Sequence, residues 1–110
     1  MKLRNLLIAT LGLAITAGAA GAASADTPWQ QQHPRREQVN ERLGRLNRDV
    51  RHERREGELS ARGADRLHAR LHMVRLQERA FAHRHHGHIS RWQQARLNHE
   101  ENGVRRQIPG

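Results

Sequence analysis

The chain uses one turn twice. Arg54-Arg55-Glu56-Gly57-Glu58-Leu59-Ser60 returns as Arg84-His85-His86-Gly87-His88-Ile89-Ser90, an offset of 30 residues, and the match continues through Arg66 and Arg96, Leu67 and Leu97, Val74 and Val104, Arg75 and Arg105, and Gln77 and Gln107. A repeat of this period reads as one supersecondary unit used twice. Here the unit is a helix, a turn and a helix, with the middle helix shared. Gly57 and Gly87 sit where a helix closes through the left-handed conformation, which glycine tolerates. Leu59 and Ile89 can fold back on the preceding helix, and Ser60 and Ser90 can cap the next one through their hydroxyls. The second copy carries a full capping box, Ser90-Arg91-Trp92-Gln93; the first has Gly63 in place of the glutamine, so its helix should start less firmly.

Periodicity predicts three helices. The first runs from about Arg36 to Glu56, with a stripe of Val39, Leu43, Leu46 and Val50 and a favourable Glu41–Arg45 pair. The second runs from about Ala61 to His83 and carries two stripes on nearly opposite sides: Leu67, Leu71, Val74 and Phe81, and Ala69, Met73, Leu76 and Ala80. The third, from about Arg91 to Gln107, presents Leu97, Val104 and Ile108, with Glu101 interrupting the row and spaced to pair with Arg105. Ala69, Met73, Leu76 and Ala80 are the repeat counterparts of Val39, Leu43, Leu46 and Val50. The middle helix therefore plays second helix to the first and first helix to the third. The expected fold is all-α: three antiparallel helices in a flat layer, two overlapping helix-turn-helix units, with Leu71 and Met73 buried on opposite sides. No alternating β-branched run predicts a strand. The apolar content is thin for a domain of this size, and a homodimer is one route to further burial.

The N-terminus reads as an address. Lys2 and Arg4 precede an apolar run from Leu6 to Ile15, and Ala23-Ser24-Ala25 has the small-x-small cleavage pattern. Residues 1–25 are expected to be a signal peptide and the product periplasmic or secreted. The apolar run is too short and too interrupted for a span, so no integral membrane span is expected after cleavage. Residues 26–35, with two prolines and a glutamine run, read as a flexible arm, and residues 36–110 as the helical domain. With no cysteine there is no disulfide, thiolate or lipid-anchoring thiol. The 20 basic residues, all arginine beyond Arg4, outnumber 11 acids, a balance that favours polyanions, among them lipopolysaccharide and nucleic acid.

Histidine is the residue type with the most chemical potential. His83, His85, His86 and His88 crowd one turn, and imidazoles are good ligands for Cu, Ni and Zn. His68 and His72, four apart on one helix, form a candidate for a second, weaker site. Calcium is excluded: where an EF-hand loop needs oxygen ligands, the two turns hold His52, Arg54 and Gly63, and Ala82, Arg84 and Gln93. His99-Glu100-Glu101 lacks the second histidine of a zincin helix. Ser60 and Ser90 have a structural task as caps and no base beside them, and no glycine-rich phosphate loop is present, so an enzyme is not expected. Trp92, whose repeat counterpart is Arg62, projects away from Leu97 and Val104 and is a candidate partner contact.

The pair Gly57-Glu58-Leu59-Ser60 and Gly87-His88-Ile89-Ser90-Arg91-Trp92-Gln93 resembles a group of small periplasmic helical-repeat proteins. These carry a Gly-x-(Leu/Ile)-(Ser/Thr)-x-x-(Glu/Gln) turn between charged helices; the resemblance covers roughly Val39 to Ile108. Ile89-Ser90-Arg91-Trp92-Gln93 is also similar to the Leu-Thr-x-x-Gln motif of periplasmic stress and metal-sensor proteins. That likeness implies a helical, non-enzymatic binding protein of the envelope-stress or metal-handling type, acting on envelope proteins or unfolded clients. Two alternatives rest on the residues alone: an arginine-rich polyanion-binding module, and a structural accessory that folds on a protein partner.

Overall fold

The computed structural model describes residues 26–110, and the signal peptide expected over residues 1–25 lies outside them. The chain divides into two compact units, one ending at Gln31 and one beginning at Gln32. Helix α1 (Pro28–Gln32) crosses this boundary. Its start is fixed by a reciprocal box: the Gln30 N–H donates to Thr27 Oγ1 at 3.1 Å and the Thr27 N–H to Gln30 Oε1 at 2.6 Å. Pro28 takes the first helical position, where its missing N–H costs nothing. The segment read as a flexible arm therefore contains a capped helical turn.

The second unit holds α2 (Pro34–Arg55), α3 (Ala61–Arg84) and α4 (Arg91–Arg105). The described residues contain no strand. Pro34 begins α2 two residues before the expected start, its fixed φ being suited to a first turn. Each long helix packs against both others. Their shared core is Val39, Leu43, Leu46 and Val50 from α2, Ala64, Leu67, Leu71, Val74 and Ala82 from α3, Leu97 and Val104 from α4, and Ile89 from the second turn. Leu59, Phe81 and Ile108 close its edges.

The flat layer is not what these contacts describe. In such a layer α2 and α4 would be kept apart by α3, whereas here they touch. The second stripe of α3 is outside: Met73 is 54% exposed and Leu76 41%. The reason is the balance of burial. Closing the three helices lets Leu67, Leu71 and Val74 serve both neighbours, and it leaves out a stripe of which two members, Ala69 and Ala80, have little apolar area to lose. Cross-helix bonds fix the register, from Arg36 to Glu78 and from His68 to Asn47 Oδ1 between α2 and α3, and from Gln94 to Gln38 between α4 and α2.

The two turns differ in detail. After α2, Gly57 has φ 82°, its N–H donates to Arg54 O, and the Glu58 N–H donates to Glu53 O at 2.9 Å. This pair of bonds satisfies carbonyls that the helix end leaves open. After α3 the left-handed position falls one residue earlier, on His86 (φ 56°), and Gly87 follows with φ 91° and its N–H on Ala82 O. A β-branched residue resists that conformation. His86→Val should therefore cost about 1–2 kcal/mol, lowering the Tm by roughly 5–10 °C. His85→Val, at φ −125°, is the control and should melt near the wild type. Equal melting of the two variants would show that His86 carries no strain.

Candidate binding surfaces

The histidine turn is the first place to look for chemistry. His83, His85, His86 and His88 are all exposed. His83 and His86 line one open groove with Arg36 and Arg79. His88 stacks on His33, with ring centroids 4.7 Å apart and planes 19° from parallel. The turn's carbonyls are held from α2: Arg36 Nη1 donates to Gly87 O at 3.1 Å and Arg35 Nη1 to Ile89 O at 3.3 Å. Among the described residues no three His, Asp or Glu side chains converge as a group able to hold a metal ion. The four histidines expected to hold Cu, Ni or Zn do not stand as such a group in this structure. His68 and His72 are also treated differently by the fold. His68 is half-buried with Nδ1 2.6 Å from Asn47 Oδ1, whereas His72 is exposed.

Two carboxylates that the periodicity places in apolar rows are buried. Glu78 continues the row Leu67, Leu71, Val74 and is compensated: Arg36 Nε and Asn40 Nδ2 both donate to its Oε2. Since Arg36 also holds Gly87 O, one guanidinium ties the start of α2, the end of α3 and the second turn together. Glu101 is different. It is 0% exposed, and neither of its carboxyl oxygens has a hydrogen-bond partner. Arg42 lies 3.9 Å away, but its guanidinium donates instead to Asn98 O and Asn102 Oδ1. Arg105, the partner that the spacing offered, does not pair with Glu101; the side chain turns inward toward α2. Burial pushes the Glu101 carboxyl up to about 8, against the opposing pull of Arg42 and Arg45.

A more extended surface runs across α3 and α4. Met73, Leu76 and Trp92, the last 66% exposed, are the large apolar side chains that this unit leaves to solvent. On α4 the row Trp92, Arg96, Glu100 is continuous: the Arg96 guanidinium sits 5.8 Å from the Trp92 ring and 3.6 Å from Glu100. Gln77 then joins it to α3, donating from Nε2 to Glu100 Oε1 at 2.7 Å. A groove of about 310 Å³ lies between the helices, floored by Val74 and Val104, walled by Met73 and rimmed by Arg70 and Glu100. Gly103 makes room for this rim, since a Cβ there would come within 3.0 Å of Arg70 Nη2. By helical spacing the Met73–Leu76 stripe has Arg66, Arg70 and Arg84 along one edge and His72, Arg79 and His83 along the other, with Asp65 the acid among them.

Ser60 and Ser90 serve as caps, accepting from the Gly63 and Gln93 N–H groups at 2.9 and 3.1 Å. No helix among the described residues is long and apolar enough to cross a membrane. No protein-family model, curated protein or solved structure matches the chain.

Proposed function

We propose that this chain is an exported, non-enzymatic binding module of the periplasm, an up-down-up bundle that engages helical segments of protein partners on the outer face of α3 and α4. The observation that carries this reading is the exposure of Met73, Leu76 and Trp92 on a surface with a groove between its helices. The outer stripe of α3 repeats the α2 stripe that is buried against neighbouring helices, so it has the spacing that receives a helix. Its arginine edges favour acidic flanks on that helix. This is binding of the envelope-stress kind, in which an unfolded or partly folded client supplies the apolar face. The metal-handling version has no group of three histidines or carboxylates among the described residues to support it.

The test is fluorescence anisotropy with a synthetic amphipathic peptide carrying leucine on one face and glutamate along its flanks. Met73→Asp should weaken binding at least about tenfold, and Trp92→Ala by several-fold, as truncation of a contact anchor does. A lysine-flanked peptide should bind more weakly than the glutamate-flanked one. Equal binding by the wild type and Met73→Asp would refute the reading. Sedimentation run alongside separates out a homodimer through the same face, which the Met73→Asp variant would dissolve.

A further inference from the structure

A second, unrelated site lies where the last turns of α2 meet the first turn of α3. A cleft of about 260 Å³ is lined by Arg51, Arg54 and Arg55 from α2 and by Ala61, Ala64, Asp65 and His68 from α3. The three arginines are spaced i, i+3, i+4, so they share one strip of α2, and like charges so placed repel. Among the described residues none of the three forms an ion pair, although the same structure pairs Arg36, Arg42, Arg45 and Arg96 with carboxylates. The α3 side brings one carboxylate, Asp65, against the three arginines, together with the positive end of a helix dipole. This side is the start of a 24-residue helix, and its cap is only half closed. Ser60 Oγ accepts from Gly63, but Gly63 has no side chain to return to the Ser60 N–H, as Gln93 does to Ser90. His68 is fixed in the cleft by Asn47 at Nδ1, which leaves Nε2 as its remaining polar atom. The floor is apolar, built from Ala61, Ala64 and the arginine stems.

The geometry points to an anion-binding site here, for a phosphate group carried on an apolar body. Guanidinium forks match phosphate oxygens, and the alanine floor takes the attached carbon. The same chemistry is offered by a soluble phosphate ester and by the headgroup of an anionic lipid. The site is independent of the α3–α4 face, and its test is separate from the peptide experiment.

Two probes distinguish the sources: phenyl phosphate, titrated calorimetrically against inorganic phosphate, and phosphatidic acid vesicles compared with phosphatidylcholine vesicles by co-sedimentation. Phenyl phosphate is expected to bind more tightly than inorganic phosphate if the ligand is soluble; selective vesicle binding marks a lipid source. In either arm the Arg54→Gln/Arg55→Gln variant should lose at least about tenfold in affinity. The variant Arg105→Gln/Arg106→Gln removes the same charge elsewhere and should lose less than about twofold, since remote exposed charges are screened. These positions are exposed, and circular dichroism checks that each variant remains helical. Arg54→Lys/Arg55→Lys, which keeps the charge and loses the fork, should fall between the two glutamine variants. Equal losses in the two glutamine variants would replace the site with diffuse attraction, and binding of neither probe would overturn it.

Discussion

Replacing Glu101 with leucine is expected to stabilise this protein by about 3 kcal/mol near neutral pH, raising the Tm by more than about 10 °C. The carboxyl is fully buried, has no hydrogen-bond partner and sits between Leu97 and Val104 in the apolar row of α4. To stay folded at neutral pH it must hold a proton that the unfolded chain releases near 4.5, and that uptake opposes folding. Leucine is close in size and needs no partner. The repeat already contains this solution: position 71, the counterpart of 101, is a leucine buried at the same level of the pattern. Arg42 is not stranded by the change, because its guanidinium is bonded to Asn98 and Asn102.

The same residue sets a pH dependence of definite sign. The folded carboxyl has its value raised to about 8, against 4.5 when unfolded. Below 4.5 both states are protonated and Glu101 adds no slope. Between 4.5 and 8 the folded state holds the proton that the unfolded state has lost, so stability falls as pH rises. Above 8 both are ionised and the slope ends. The informative quantity is the difference between the wild type and Glu101→Leu in denaturant unfolding, which isolates this one carboxyl. That gap should be small at pH 4.5 and widen steadily toward pH 8. A variant less stable than the wild type at pH 8 would mean that the carboxylate finds partners in the folded state.

Much of this architecture is readable from residues in order, and the parts that are not share a cause. The α2 stripe, the inner stripe of α3 and the caps at Ser60 and Ser90 depend on spacings of three and four residues, which one helix or one turn determines. Glu78 is legible in the same way, since it continues the row of Leu67, Leu71 and Val74. The box at Thr27 and Gln30 is also written locally, though the prolines and glutamines around it give the segment the composition of an arm. Closure of the bundle is another matter. An apolar stripe says that a face can be buried and is silent on which helix buries it, and the repeat relates elements by ancestry of pattern rather than by position in space. The histidine turn fails for a similar reason. Four imidazoles in six residues are close along the chain, but closeness along the chain does not set three of them around one point, and among the described residues no such group stands. The cleft at Arg51, Arg54 and Arg55 needs the approach of two helix ends and is invisible in either helix alone.

The second large effect separates the closed bundle from a flat layer. Leu71 is 1% exposed at the centre of the bundle and Met73 is 54% exposed on its outer face. An aspartate at 71 would be an unpaired charge in the core, costing more than about 4 kcal/mol, enough to unfold a domain of this size. An aspartate at 73 would stand in water near Arg70, and exposed substitutions of this kind fall within about 0.5 kcal/mol. The most direct test of the account is therefore thermal melting of Leu71→Asp and Met73→Asp side by side, followed by circular dichroism. The expected result is a Leu71→Asp chain with no cooperative transition and a Met73→Asp protein that melts within a few degrees of the wild type. If Met73→Asp also unfolds, the outer stripe of α3 is a core, and both the closed bundle and the docking face assigned to it are wrong.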